Sequence, residues 1–88
     1  MRMEWLDARL AMPYFEFLWT DEILAHLAKN GVSREDFEEV VSSPKRLGVS
    51  RSSGRPCCWG ETPDGRALFC VYEFLDDITI IPVTAYEL

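Results

Sequence analysis

The chain gathers its positive charge in one short stretch. Residues Lys45 to Pro56, KRLGVSRSSGRP, hold four cations and three serines without an acid, in a protein of net charge −6. Guanidinium groups grip phosphate through paired donors, and a tyrosine stacks on a base. Lys45, Arg46, Arg51, Arg66 and Tyr72 are therefore candidates for contacting RNA or another anion. Two other uses of the stretch stand beside that one. Its charges can protect an exposed hairpin edge from strand-to-strand aggregation, and Ser50, Ser52 or Ser53 can serve as phosphate acceptors. No phosphate-binding P-loop, glycine-rich nucleotide fingerprint or nucleophile elbow is present.

Other reactive side chains point to structure. His26 is of the residue type that acts as an acid–base catalyst, but it has no partner close in sequence. Glu35, Asp36, Glu38 and Glu39 read as the solvated face of a helix. Cys57, Cys58 and Cys70 lack the further ligands and spacing of a metal site. Adjacent cysteines on a strand point to opposite faces, so Cys57 and Cys58 are poorly placed to pair, and buried structural thiols are expected. No cofactor is expected.

These residues need a small scaffold to hold them. A chain of 88 residues favours one domain, and 48% hydrophobic with 27% charged residues places it in the globular class. No apolar run would cross a bilayer, and Glu4, Asp7 and Arg9 interrupt any export signal at the N-terminus. A cytoplasmic location with reduced thiols is the expectation, with no membrane partner. Residues 45–66 carry five cations against Glu61 and Asp64. Phosphate contact would thus be local, because the whole chain repels nucleic acid at long range.

Residues 1–14 read as an appendage, a short helix or disordered, which Pro13 ends. Residues 15–88 read as the domain. Tyr14 to Trp19 has the aromatic content of a strand. Thr20 caps a helix whose first turn holds Asp21 and Glu22, and Asn30-Gly31 stops it. Ser33 and Asp36 form a capping box for a second helix, with Val32 stapled onto Phe37 and Phe37, Val40 and Val41 facing inward. Pro44 ends that helix. Four strands follow. Ser53-Gly54 and Pro63-Asp64-Gly65 supply turns, and Arg66 to Phe74 is central because it is apolar on both faces. Pro82 predicts an edge or a bulge in the last strand. The fold class is α+β: a short first strand, a two-helix hairpin, then a four-stranded antiparallel meander with helices on one face.

Turn lengths predict registers. Trp59 should face Phe69, Cys58 face Cys70, and Pro56 face Tyr72. A two-residue turn at Ser53-Gly54 would set Arg51 opposite Pro56 and Val49 opposite Cys58. Trp59, Phe69, Cys57 and Val71 would then pack under the helices. Arg51, Arg66, Leu68, Pro56 and Tyr72 would lie on the open face, with Arg55 on the opposite one.

Trp19 to Pro44, WTDEILAHLAKNGVSREDFEEVVSSP, resembles the opening of BrnT-type toxins, a branch of the RelE-like group. The family's Lys-His-Gly-Val-Ser-like run reads Lys29-Asn30-Gly31-Val32-Ser33 here. Gly60 to Glu87 looks like the family's meander, with Asp64-Gly65-Arg66 before the central strand. The likeness covers about residues 15–88. It implies a RelE-like fold, RNA as substrate, metal-independent RNA cleavage and a DNA-binding antitoxin as protein partner. Arg66 and Arg51 match basic positions of the meander, and Tyr86 stands for a C-terminal aromatic. The family's last strand carries a Ser-Ala-Arg-like run after two isoleucines, whereas Ile80-Ile81 is followed by Pro82-Val83-Thr84. Thr84 thus stands where a functional arginine is expected. The resemblance therefore implies weak or lost cleavage, or a non-enzymatic interaction domain on the same scaffold.

Overall fold

The computed structural model describes residues 15–88. The helix or disorder expected for residues 1–14 lies outside the described residues. The elements run β1 (Glu16–Phe17), α1 (Asp21–Lys29), α2 (Arg34–Ser42), β2 (Arg46–Val49), β3 (Pro56–Glu61), β4 (Ala67–Phe74) and β5 (Thr79–Glu87). The fold is α+β. The strands form one sheet in the order β1-β5-β4-β3-β2. β2 to β5 are an antiparallel meander, and β1 lies parallel to β5 at the far edge. No helix among the described residues is long and apolar enough to cross a membrane.

Local chemistry sets the helix ends. Thr20 is extended and its hydroxyl accepts from the Ile23 N–H at 3.1 Å. The Ser33 hydroxyl accepts from the Asp36 N–H at 3.1 Å, and the Asp36 carboxylate accepts from the Ser33 N–H at 3.2 Å, completing the capping box. Gly31 ends α1 at φ +76°, a left-handed backbone that glycine adopts without penalty. Leu27 from α1, with Phe37, Val40 and Val41 from α2, fills the core above the sheet. Phe17 and Trp19 close its rim, both edge-on to Phe37.

The β3–β4 register is as expected, with Cys58 opposite Cys70 and Trp59 opposite Phe69. The faces are reversed. Cys58, Leu68, Cys70, Tyr72, Ile80 and Ala85 lie in the helix-covered core. Trp59 and Phe69 are half-buried on the other face. Alternation says which residues share a face, not which face the helices take. Size decides that here. A Cβ on Gly60 would sit 3.0 Å from Val40 Cγ1, so α2 makes its close approach to the sheet over this glycine.

The β2–β3 register is shifted by two residues. Val49, not Arg51, faces Pro56, and Leu47 faces Cys58. The turn is longer than two residues, because the Ser50 N–H bonds Arg55 O at 2.8 Å and the Gly54 N–H bonds Ser50 O at 2.7 Å. Arg51 therefore sits in the loop and not on a strand.

Pro82 marks a bulge and not an edge. Thr84 faces Val71 and Pro82 faces Tyr72, so Val83 is the extra residue. β5 lies inside the sheet, between β1 and β4. The ladder to β1 ends with the Leu18 N–H on Ile80 O, before the position where proline has no donor.

Candidate functional site

The sheet face opposite the helix-packed core carries one continuous row of side chains. Arg46 on β2 faces Trp59 on β3, Trp59 faces Phe69 on β4, and Phe69 faces Tyr86 on β5. The Trp59 and Phe69 ring centroids are 5.0 Å apart, and those of Phe69 and Tyr86 are 5.3 Å apart. The Arg46 guanidinium carbon lies 5.2 Å from the Trp59 ring centroid, a cation–π contact that caps the row. Tyr86 at the other end is 44% exposed. Gly48 makes the row possible. A Cβ there would lie 2.9 Å from the Trp59 ring.

The candidates named from sequence do not all meet. Arg46 and Tyr86 stand at the two ends of the row. Tyr72 is buried beneath the helices, not on the open face, and burial pushes its hydroxyl up to about 12. Arg66 is drawn to the helix hairpin. Its Nη2 donates to Asp36 Oδ2 at 2.5 Å, its Nη1 to Gly31 O at 2.8 Å, and its Nε to the Asp64 carboxylate at 3.2 Å. The Asp36 carboxylate holds that guanidinium above its ordinary value. Lys45 leans on Glu61 at 3.2 Å. Arg55 donates to Glu73 at 2.5 Å. Arg51 is exposed in the β2–β3 loop, beside the Ser50–Ser52 hydroxyl pair.

Trp59 and Phe69 are the site residues that the sequence hides, since both read as core. The available signal was the interleaved set of Cys58, Gly60 and Cys70, which is slim enough to sit under a helix. His26 Nε2 lies 2.9 Å from Thr84 Oγ1, and no acid among the described residues hydrogen-bonds it. Cys57, Cys58 and Cys70 are free, buried thiols.

Comparison of the chain with protein-family models, with curated proteins and with solved structures finds no match. The reading of this surface therefore rests on its geometry. Rings half-covered by one another present broad apolar area at little entropic cost, and the guanidinium at the end adds a directional donor. That combination is typical of the residues that dominate binding energy at interfaces.

Proposed function

We propose that this chain is a binding domain of the toxin–antitoxin type on a BrnT/RelE-like scaffold, without RNA cleavage, which docks a protein partner on the sheet face opposite its helices. The row Arg46–Trp59–Phe69–Tyr86 is the observation that carries this reading. Cleaving RNA without a metal calls for cations free to take up charge on the phosphate in the transition state. Here Arg66, Lys45 and Arg55 already neutralise Asp36, Glu61 and Glu73, which leaves, of the basic stretch, Arg46, stacked on Trp59, and Arg51, exposed in the β2–β3 loop. The net charge of −6 also opposes a phosphate backbone more than a protein surface.

The Arg46–Trp59 contact favours one second reading, the stacking of single-stranded RNA bases along the same row. One set of measurements separates the two. The protein is expressed alone and with the product of the adjacent reading frame, and the purified chain is mixed with single-stranded RNA at low salt. The expectation is normal growth, intact RNA and a complex with the neighbouring protein. Trp59→Ala or Tyr86→Ala should weaken that complex at least tenfold while the fold persists. RNA cleavage abolished by Arg51→Ala would overturn the proposal. RNA binding that Tyr86→Ala removes, with no protein complex, would replace it by the stacking reading.

A further inference from the structure

The opposite edge of the sheet holds a second surface. β2 is an edge strand, bonded only to β3. The Ser50 N–H donates to Arg55 O, so Ser50 turns its amide to β3, and by antiparallel alternation Gly48 and Arg46 turn their backbone groups the same way. Leu47 and Val49 then turn their N–H and C=O groups outward. Their side chains are 69% and 67% exposed. A protected edge carries charge at such positions; this one carries bare aliphatic groups.

An apolar cavity of about 250 Å³ adjoins this edge, lined by Leu47, Pro56, Tyr72 and Phe74 with Val41 and Phe15. It is smaller than the roughly 300–1,000 Å³ of small-molecule pockets, and of a size for one or two side chains. Charge then selects the occupant. Lys45 to Pro56 holds four cations and no acid. Lys45 and Arg55 are paired, whereas Arg46 and Arg51 make no ion pair among the described residues. A second copy docking β2 on β2 would bring these cations against one another.

We propose that β2 is a strand-addition site for an extended acidic–apolar segment of a partner protein. The segment's backbone pairs with Leu47 and Val49. One apolar side chain enters the cavity beside Leu47, and its carboxylates meet Arg46 and Arg51. The proposal shares Arg46 with the aromatic row but rests on the β2 backbone and the cavity beside Leu47.

The test uses a blocked heptapeptide of alternating glutamate with isoleucine and valine, and its lysine-for-glutamate counterpart. Binding is followed by NMR on the full chain. The acidic peptide should bind at least tenfold tighter than the lysine peptide and slow exchange of the Leu47 and Val49 amides at least tenfold. N-methylation of one alternate set of its amides should abolish binding, while methylation of the other set is tolerated. Leu47→Asp and Arg51→Glu, each checked for folding by circular dichroism, should weaken binding at least tenfold. Equal affinity for the lysine peptide, indifference to N-methylation, or no binding at millimolar peptide would overturn the proposal. So would shifts at Trp59, Phe69 and Tyr86 in place of β2, or peptide-free self-association through the same amides.

Discussion

The Arg66 guanidinium sits on the Asp36 carboxylate, joining the β3–β4 turn to the first turn of α2 at 2.5 Å. Asp36 also completes the capping box with Ser33. One carboxylate therefore serves a helix end and a turn. Ser33→Ala should cost about 1 kcal/mol, the usual loss for an N-cap. Asp36→Ala should cost more, because it also removes the ion pair with Arg66. The effects of Asp36→Ala and Arg66→Ala should overlap and not add, since both remove the same contact. Urea unfolding of the two single variants and the double variant checks this. Additive losses would mean that the pair contributes nothing.

Acid should loosen two turns. A hydrogen bond from the Thr62 hydroxyl, aided by Arg66, holds the Asp64 carboxyl below its ordinary value of 3.8. The Ile78 and Thr79 N–H groups hold Asp76 below the same value. The unfolded chain binds these protons first as pH falls, so both groups stabilise the fold above about pH 4 and lose that contribution below it. Asp64→Asn and Asp76→Asn should each lower the Tm at pH 7 and flatten its decline between pH 5 and pH 2. A decline of unchanged steepness in both variants would contradict the assignment.

Two glycines should respond differently to alanine. At Gly60 the new methyl would lie 3.0 Å from Val40 Cγ1, so the Val40 side chain or its helix must give way by a few tenths of an ångström. Overpacking of this kind costs about 1–3 kcal/mol. At Gly48 the methyl meets the far end of the Trp59 ring, which can swing. Gly48→Ala should leave stability nearly unchanged yet shift the Trp59 indole N–H resonance and break the contact with Arg46. Denaturant melts and one NMR spectrum per variant distinguish these outcomes.

The thiols should be silent in the native state. Burial pushes the Cys57 thiol up, and a hydrogen bond with Cys58 together with burial pushes Cys70 well up; the same hydrogen bond holds Cys58 below its ordinary value, so its complete burial is what shields it from reagents. Thiol reagents at pH 8 should label them only on unfolding, at least a hundredfold more slowly than in urea. Tyr72, pushed up to about 12, keeps its proton in the fold after the unfolded chain has lost it. Its contribution to stability is complete below about pH 10 and declines as pH rises towards 12. Tyr72→Phe should remove that part of the alkaline transition.

Much of the scaffold is legible in the residues because its signals are local. Thr20, Ser33, Asp36 and Gly31 act within one turn of chain, and each is seated as its chemistry requires. The Pro63-Asp64-Gly65 turn likewise set the β3–β4 register. Which face turns inward was not legible, because alternation groups Cys58 with Cys70 and Trp59 with Phe69 but does not say which group α2 covers. Nor could the motif Ser53-Gly54 disclose that the turn begins at Arg51, which displaced β2 by two positions. Arg66 was misplaced for the same reason. Its partner, Asp36, is thirty residues away, and nothing in either local sequence links them.

β5 is made after every other described strand, yet it lies inside the sheet. Until Thr79 to Glu87 has emerged, β1 has no neighbour and β4 keeps a bare flank. During translation the domain is therefore a half-built sheet, the kind of species chaperones recognise. A stop codon ahead of Thr79 would leave an unfolded polypeptide marked for degradation, and not a slightly smaller domain.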